Sequence, residues 1–243
     1  MRVLVRLGPS PALVIALALA ACVGSPPPEV IPALPADRDS SAPSLPPPER
    51  AVFVIRRGGD TLFVERFSRT RDLLSGDIDA RGQGSIEYQA SLDHPAETVS
   101  RIVAGIVPAG TPAGTATRRA TANFRGDSVI VENVVGDSTR TDRYATRAGA
   151  IPYINPSMAL AEQMVRRARV VGGTQVELPV FVAGTGGQTV TASVTFAGAD
   201  SAQVNLAGTT LRFAVDREGR LLGGLVPEQG LTVSRTTDLP AKP

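Results

Sequence analysis

Histidine and cysteine occur once each among these 243 residues, tryptophan is absent, and aromatic residues make up only 4%. Each shortage excludes something. A Ser–His–Asp triad depends on an imidazole base, so any such chemistry would rest on His94, in SLDHPAE, alone. No G-x-S-x-G elbow marks a nucleophile for it. Ser91, near His94, and Ser157 are the conceivable hydroxyls, and neither sits in a supporting motif. His94 precedes a proline in a polar stretch, which reads as a solvated loop. Zinc sites draw three or four ligands mainly from Cys and His, and one of each falls short. With so few aromatics, bases and sugar rings have little to stack on, which argues against nucleic acid and carbohydrate as partners.

An excess of one charge is missing too. Lys and Arg number 25 against 23 Asp and Glu. Loss of Arg2 and Arg6 with the leader described below would bring the cations to 23, level with the acids. The basic face that a nucleic-acid partner needs is therefore not supplied by composition. Every cation except Lys242 is arginine.

What the chain does have begins at its start. Arg2 and Arg6 precede the apolar run Ala12–Ala21, the pattern of a secretory signal. The run is roughly ten residues, half of the roughly 20 that a permanent membrane helix needs. It ends on Leu19-Ala20-Ala21-Cys22. This tetrapeptide resembles the lipobox of bacterial lipoproteins: an aliphatic residue, two small ones and cysteine. The resemblance implies that residues 1–21 are removed and that Cys22 is lipidated, on its thiol and then on its new amine. One acyl chain holds a protein only marginally, so several chains at Cys22 would make a lasting anchor. The alternative is an ordinary cleaved signal with an unmodified cysteine. The lipobox also implies export, with the protein facing the periplasm or cell surface and the outer membrane preferred to the inner.

Residues 22–50 are rich in proline, with Ser, Ala and Asp between them. Such a segment favours extended polyproline II and acts as a semi-rigid spacer. A folded region over 51–237 follows, about 190 residues and enough to bury a real core, with a short tail over 238–243.

From Ala51 onward, short alternating runs are separated by glycine-containing turns. AVFVIRR and TLFVERF flank Gly58-Gly59-Asp60, and ATRRATANF and SVIVENVV flank Arg125-Gly126-Asp127. Glycine at such tips supplies the positive φ that tight hairpins require. In TLFVERF, Leu62, Val64 and the stem of Arg66 face opposite to Thr61, Phe63, Glu65 and Phe67. About a dozen strands of this kind predict a mainly β fold, an antiparallel meander curved into a half-barrel, an open barrel or a sandwich. NPSMALAEQMVRRARVVGG breaks the pattern. Asn155 reads as its cap, Pro156 as its first residue and Gly172 as its stop, giving a helix over about 156–170. Leu160, Ala161, Met164, Val165, Ala168 and Val171 form one arc, and Glu162, Gln163, Arg166, Arg167 and Arg169 the other. The apolar arc is expected to pack on the sheet and the polar arc to face water. The whole span, opening on RRGGDTLFVERF and closing on FAVDREGRLLGG, is similar to periplasmic β domains whose sheets curve into half-barrels, as in envelope lipoprotein carriers.

Other short patterns carry little. Asp77–Gly82 begins like a calcium loop, but its fifth and twelfth positions are Arg81 and Tyr88, where oxygen ligands belong. Gly184–Gly187 lacks the lysine of a phosphate loop and reads as a turn. Arg125-Gly126-Asp127 reads as a hairpin tip rather than an adhesion motif. Asp77 and Asp79 are paired carboxylates of the sort a glycosidase uses, yet alternate residues share a face in any strand. No catalytic, cofactor-binding or metal residue is assigned; Cys22 is the one site. The expected role is a non-catalytic envelope lipoprotein that binds an apolar ligand or a protein partner. The alternatives are a hydrolase built on carboxylates or on a serine with His94, and a domain that only fills space. An apolar cavity left beside the helix favours a ligand; a helix that plugs the concave face favours a partner.

Overall fold

The computed structural model describes residues 46–183 and 187–237, all within the compact unit Leu45–Pro243. The leader, the lipobox with Cys22, most of the proline-rich segment and the tail lie outside the described residues. Strands β1 (Glu49–Arg57), β2 (Asp60–Arg69), β3 (Leu73–Ala80), β4 (Gly84–Asp93) and β5 (Thr98–Val107) follow one another. Next come β6 (Arg118–Arg125), β7 (Ser128–Val135), β8 (Ser138–Ala145) and the short β9 (Ile151–Tyr153). After helix α1 (Met158–Val171) the chain adds β10 (Gln175–Val182), β11 (Gln188–Phe196) and β12 (Ser201–Leu206). It ends with β13 (Thr209–Val215), β14 (Leu221–Val226) and β15 (Leu231–Thr236).

Among the described residues these fifteen strands form one open sheet, ordered 8-7-6-5-4-3-2-1-15-14-13-12-11-10-9. The chain walks outward from β1 to β8 and then returns inward from β9 to β15. First and last strands therefore pair, Val54 opposite Ser234. With seven strands on either side, β1 buries five consecutive residues, Ala51 to Ile55, the continuous apolar run of a strand covered on both faces. The expected hairpin tips are in place: Gly58 and Gly126 have φ of 57° and 58°.

The meander has one exception. β9 runs parallel to β10, and parallel neighbours cannot be joined by a hairpin. α1 is the crossover between them. The sheet curls around it. Phe181 of β10 packs edge-on to Phe124 of β6, with ring centroids 5.9 Å apart, and lies 5.7 Å from the ring of Tyr144 on β8. Thr189 of β11 donates to the Ala145 carbonyl at 3.1 Å. The outer strands thus approach across the concave side although β8 and β9 do not pair.

Three boundaries differ from expectation. β1 begins at Glu49, inside the span assigned to the proline-rich spacer. The helix is capped by Ser157 and runs from Met158 to Val171; Asn155 and Pro156 belong to the turn before it. Ser157 wins the cap because its Oγ accepts from Leu160 N at 3.1 Å, the bond that an N-cap hydroxyl makes to the third helical N–H. The third difference is burial. Glu162 and Gln163, placed on the wet arc, are buried, while Val171 of the apolar arc is half exposed. A helix inside a curled sheet has no wet face along its first turns, so polarity alone misplaces its sides.

Candidate ligand-binding mouth

The inward face of β2 reads Phe63, Glu65, Phe67, Arg69. Alternation places all four toward the helix; the two charged members are buried with Phe67, and Phe63 is partly buried. Glu65 lies between Phe53 on β1 and Ile78 on β3. Its Oε1 accepts from the hydroxyls of Ser157 (2.6 Å) and Tyr88 (2.7 Å). Its Oε2 accepts from the backbone N–H groups of Met158 (2.5 Å) and Ala159 (3.1 Å). The first N–H groups of a helix have no partner within it and carry positive potential, so a carboxylate from the sheet completes the N-terminus. Burial pushes the Glu65 carboxyl above its usual range, and the four donors oppose that only in part. Tyr88 is raised well above normal by burial and then by the neighbouring Glu65 charge. Tyr88 reaches across Gly76, where a Cβ would stand 2.6 Å from its Oη.

Further along, α1 is sealed by ionic contacts. Glu162 accepts from Arg166 at 2.8 Å, Arg235 at 2.7 Å and the Leu221 N–H at 3.0 Å. Glu49 joins Arg166 at 3.0 Å and also pairs with Arg235. Arg235 lies over the stacked rings of Phe53 and Phe67. On the other side Gln163 accepts from Arg69 at 2.5 Å and donates to the Glu97 carbonyl at 2.8 Å, while Arg69 also pairs with Glu97. Burial and the nearby Arg166 lower the Arg69 pKa, against the pull of Glu97, Glu162 and Glu49.

The opposite end of the sheet is open and apolar. Above Met158, the turn Asn155-Pro156 separates two hollows at the tips of the hairpins. One, about 180 Å³, is lined by Ile55, Tyr153, Met158, Val182, Leu206, Thr209, Leu211 and Val226 among others, with no charged side chain. The other, about 500 Å³, is lined by Leu62, Phe63, Ile78, Ile86 and Ile106, with Arg57, Gln83 and Ser85 at its edge. Asn155, Pro156, Gln229 and Leu231 border both. Apolar walls with a few converging polar groups are the usual make-up of a small-molecule site. A further hollow of about 540 Å³ lies where Arg66, Ser68, Ser75, Asp77 and Glu87 project. Arg66 and Asp77 are already 3.3 Å apart there, so part of its charge is engaged within the protein, and Arg50, Phe67 and Tyr88 also border it.

The residues singled out in the sequence are scattered. Cys22 lies outside the described residues. His94 is exposed in the turn between β4 and β5, and Ser91 is half buried on β4. Ser157 is fully buried, with its hydroxyl held by Glu65 and Leu160. Asp77 and Asp79 share one face of β3. Gly126 and Asp127 form the two-residue tip between β6 and β7, and residues 184–186 of the glycine-rich turn lie outside the described residues. Arg167 donates to the Ala96 carbonyl at 2.5 Å, and Arg169 lies 3.9 Å over the Phe196 ring. Sequence reasoning missed Glu65 as an organiser of the helix entry. The signal was present: a carboxylate between two phenylalanines on the core face of an alternating strand. No protein-family model, curated protein or solved structure matches the chain.

Proposed function

We propose that this chain is a lipid-anchored protein of the bacterial cell envelope whose β domain binds an apolar small molecule at the open end of the curled sheet. The lipobox supports the anchor, with Cys22 as the lipidated residue, the proline-rich segment as spacer and the outer membrane as the preferred destination. The observation that carries the binding role is the pair of apolar hollows around Asn155-Pro156, the smaller lined without charge. The ionic seal around Glu162 and Arg69 closes the other end of the helix to such a ligand. An apolar cavity of about 150 Å³ is enough to hold benzene, so the smaller hollow suits one ring or a short stretch of alkyl chain. The larger lies within the roughly 300–1,000 Å³ of ordinary ligand pockets. Because the helix leaves this space instead of filling it, a small ligand is favoured over a protein partner.

Two measurements test the reading. Cells fed an alkyne-tagged fatty acid should label the wild-type chain and not Cys22→Ser, and only the labelled chain should sediment with outer membranes. Thr209→Trp, at a half-buried position lining the smaller hollow, should abolish binding of an environment-sensitive apolar dye while leaving the melting temperature within about 3 °C. Equal dye binding by a folded Thr209→Trp chain would remove the mouth as the site.

A further inference from the structure

We infer that the ligand of the mouth is a single-chain amphiphile with an anionic head, and that Arg57 selects the head. This rests on the ligand-binding reading above and adds the charge and placement of the molecule. Among the residues that line the two hollows, Arg57 is the only one with a charged side chain. It stands at the last position of β1, exposed, and makes no ion pair among the described residues, whereas Arg66, Arg69, Arg166, Arg220 and Arg235 are each paired with a carboxylate. A guanidinium recognises carboxylate or phosphate through parallel N–H donors. It does so best beside an apolar wall that lowers the local dielectric. The wall is supplied by Leu62, Phe63 and Ile106. From there a tail passes Asn155-Pro156 toward the uncharged hollow that ends on Met158 and Leu211. The uncharged hollow and the hollow that Arg57 borders meet at Asn155, Pro156, Gln229 and Leu231, which orders a ligand spanning that border: tail inward, anion outward.

The experiment uses the full chain in lipid nanodiscs, with empty nanodiscs subtracted, titrated at neutral pH with octanoate, octan-1-ol and octyltrimethylammonium. These probes carry unbranched tails of seven or eight carbons and differ in head charge. Octanoate is expected to bind about two- to fivefold more tightly than the other two, the range of one exposed ion pair. Arg57→Gln should remove that preference, weakening octanoate more than octan-1-ol. Equal affinities for the three probes, or a preference for octanoate that survives Arg57→Gln, would overturn the assignment of the head group and leave the apolar site standing. If none of the three binds above the level seen with Thr209→Trp, the mouth is not a ligand site and both readings fall. Arg57 is at a strand end and exposed, so its replacement is not expected to disturb folding; an unchanged melting temperature checks this.

Discussion

Glu65, midway along β2, accepts a hydrogen bond at 2.6 Å from Ser157, which lies 92 residues further along the chain. The same Ser157 oxygen accepts from Leu160 N, and the other Glu65 oxygen holds the Met158 and Ala159 N–H groups. The fourth, the Ser157 N–H itself, donates to the Ile154 carbonyl at 2.6 Å, and Ala161 N then makes the first intrahelical bond, to Ser157 O at 3.3 Å. All four N–H groups that a helix leaves unpaired at its start are thus accounted for, two of them by a strand. This fixes where α1 begins, and so places Asn155, Pro156 and Met158 between the two hollows of the mouth. A carboxylate in the core is the local chemistry that stops the helix from filling the open end.

Acidity should favour this arrangement. The Glu65 carboxyl is raised above its unfolded range by burial, so between the two values the folded chain holds a proton that the unfolded chain has released. Stability from this group is then fully present below the unfolded pKa of about 4.3 and is lost as pH rises through the folded value. Glu65→Gln lacks this dependence, and its amide oxygen can still accept from the two backbone N–H groups. Urea melts of both chains between pH 4 and 8 should show wild type losing stability relative to Glu65→Gln as pH rises, about 1.4 kcal/mol for each unit by which the folded value exceeds the unfolded one. A difference that stayed flat across the range would mean that Glu65 titrates normally.

Ser157 is a structural hydroxyl in this geometry, and its removal should register as stability. Ser157→Ala deletes the cap to Leu160, worth about 0.5–2 kcal/mol, and one of four donors to a buried carboxylate, worth about 1.5–3 kcal/mol. The expected loss is therefore about 2–5 kcal/mol in urea unfolding. Ser91→Ala, half buried on β4, should change stability by less than about 1 kcal/mol. Equal small losses at the two serines would contradict the network drawn around Glu65.

Much of the fold was legible because strands and turns advertise themselves locally. TLFVERF alternates as its side chains do, and Gly58 and Gly126 mark hairpin tips that need positive φ. Two features were less legible for physical reasons. β9 is three residues long, too short to show a period, so the parallel pairing with β10 and the crossover role of α1 could not be read from IPY. The sides of α1 depend on how far the sheet wraps it, which is a property of residues as distant as Glu49 and Arg235. The mouth itself combines Arg57, Ile106, Asn155 and Gln229 from four separate connections or strand ends, and only the curl of the sheet brings them together. Cys22 is the reverse case, a proposed site carried wholly by four consecutive letters.

The ionic seal should be sensitive to which member is removed. Glu162 is 1% exposed and holds two guanidiniums and the Leu221 N–H, whereas Arg220 is 45% exposed and reaches Glu49 only at 3.5 Å. Removing one partner of a buried charge pair costs about 3–5 kcal/mol, and an exposed pair contributes about 0–1 kcal/mol. Glu162→Ala should therefore lower the urea midpoint sharply, with Arg220→Ala close to wild type. High salt should bring Arg220→Ala and wild type closer still, since the exposed contacts to Glu49 and Asp216 that separate them are those that salt screens.

The curl of the sheet rests on aromatic contact more than on backbone pairing, because β8 and β9 share no ladder. Phe181 is 2% exposed and meets Phe124 and Tyr144 from the other half of the chain. Phe181→Ala should cost about 3–5 kcal/mol through lost contacts and the cavity left behind. The loss should be uneven in space. β8 has one ladder partner, β7, so with Phe181 gone its amides should exchange hydrogen faster than those of β1, which is paired on both sides. Thr189 and Arg147 reach across nearby, at 3.1 Å to Ala145 O and 2.8 Å to Thr191 Oγ1, but these bonds are exposed and hold little by themselves. Hydrogen exchange read by mass spectrometry would decide. Selective loss of protection in β7 and β8 places the clasp at Phe181, whereas uniform loss across the sheet would mean that Phe181 supports the common core and the curl is held elsewhere.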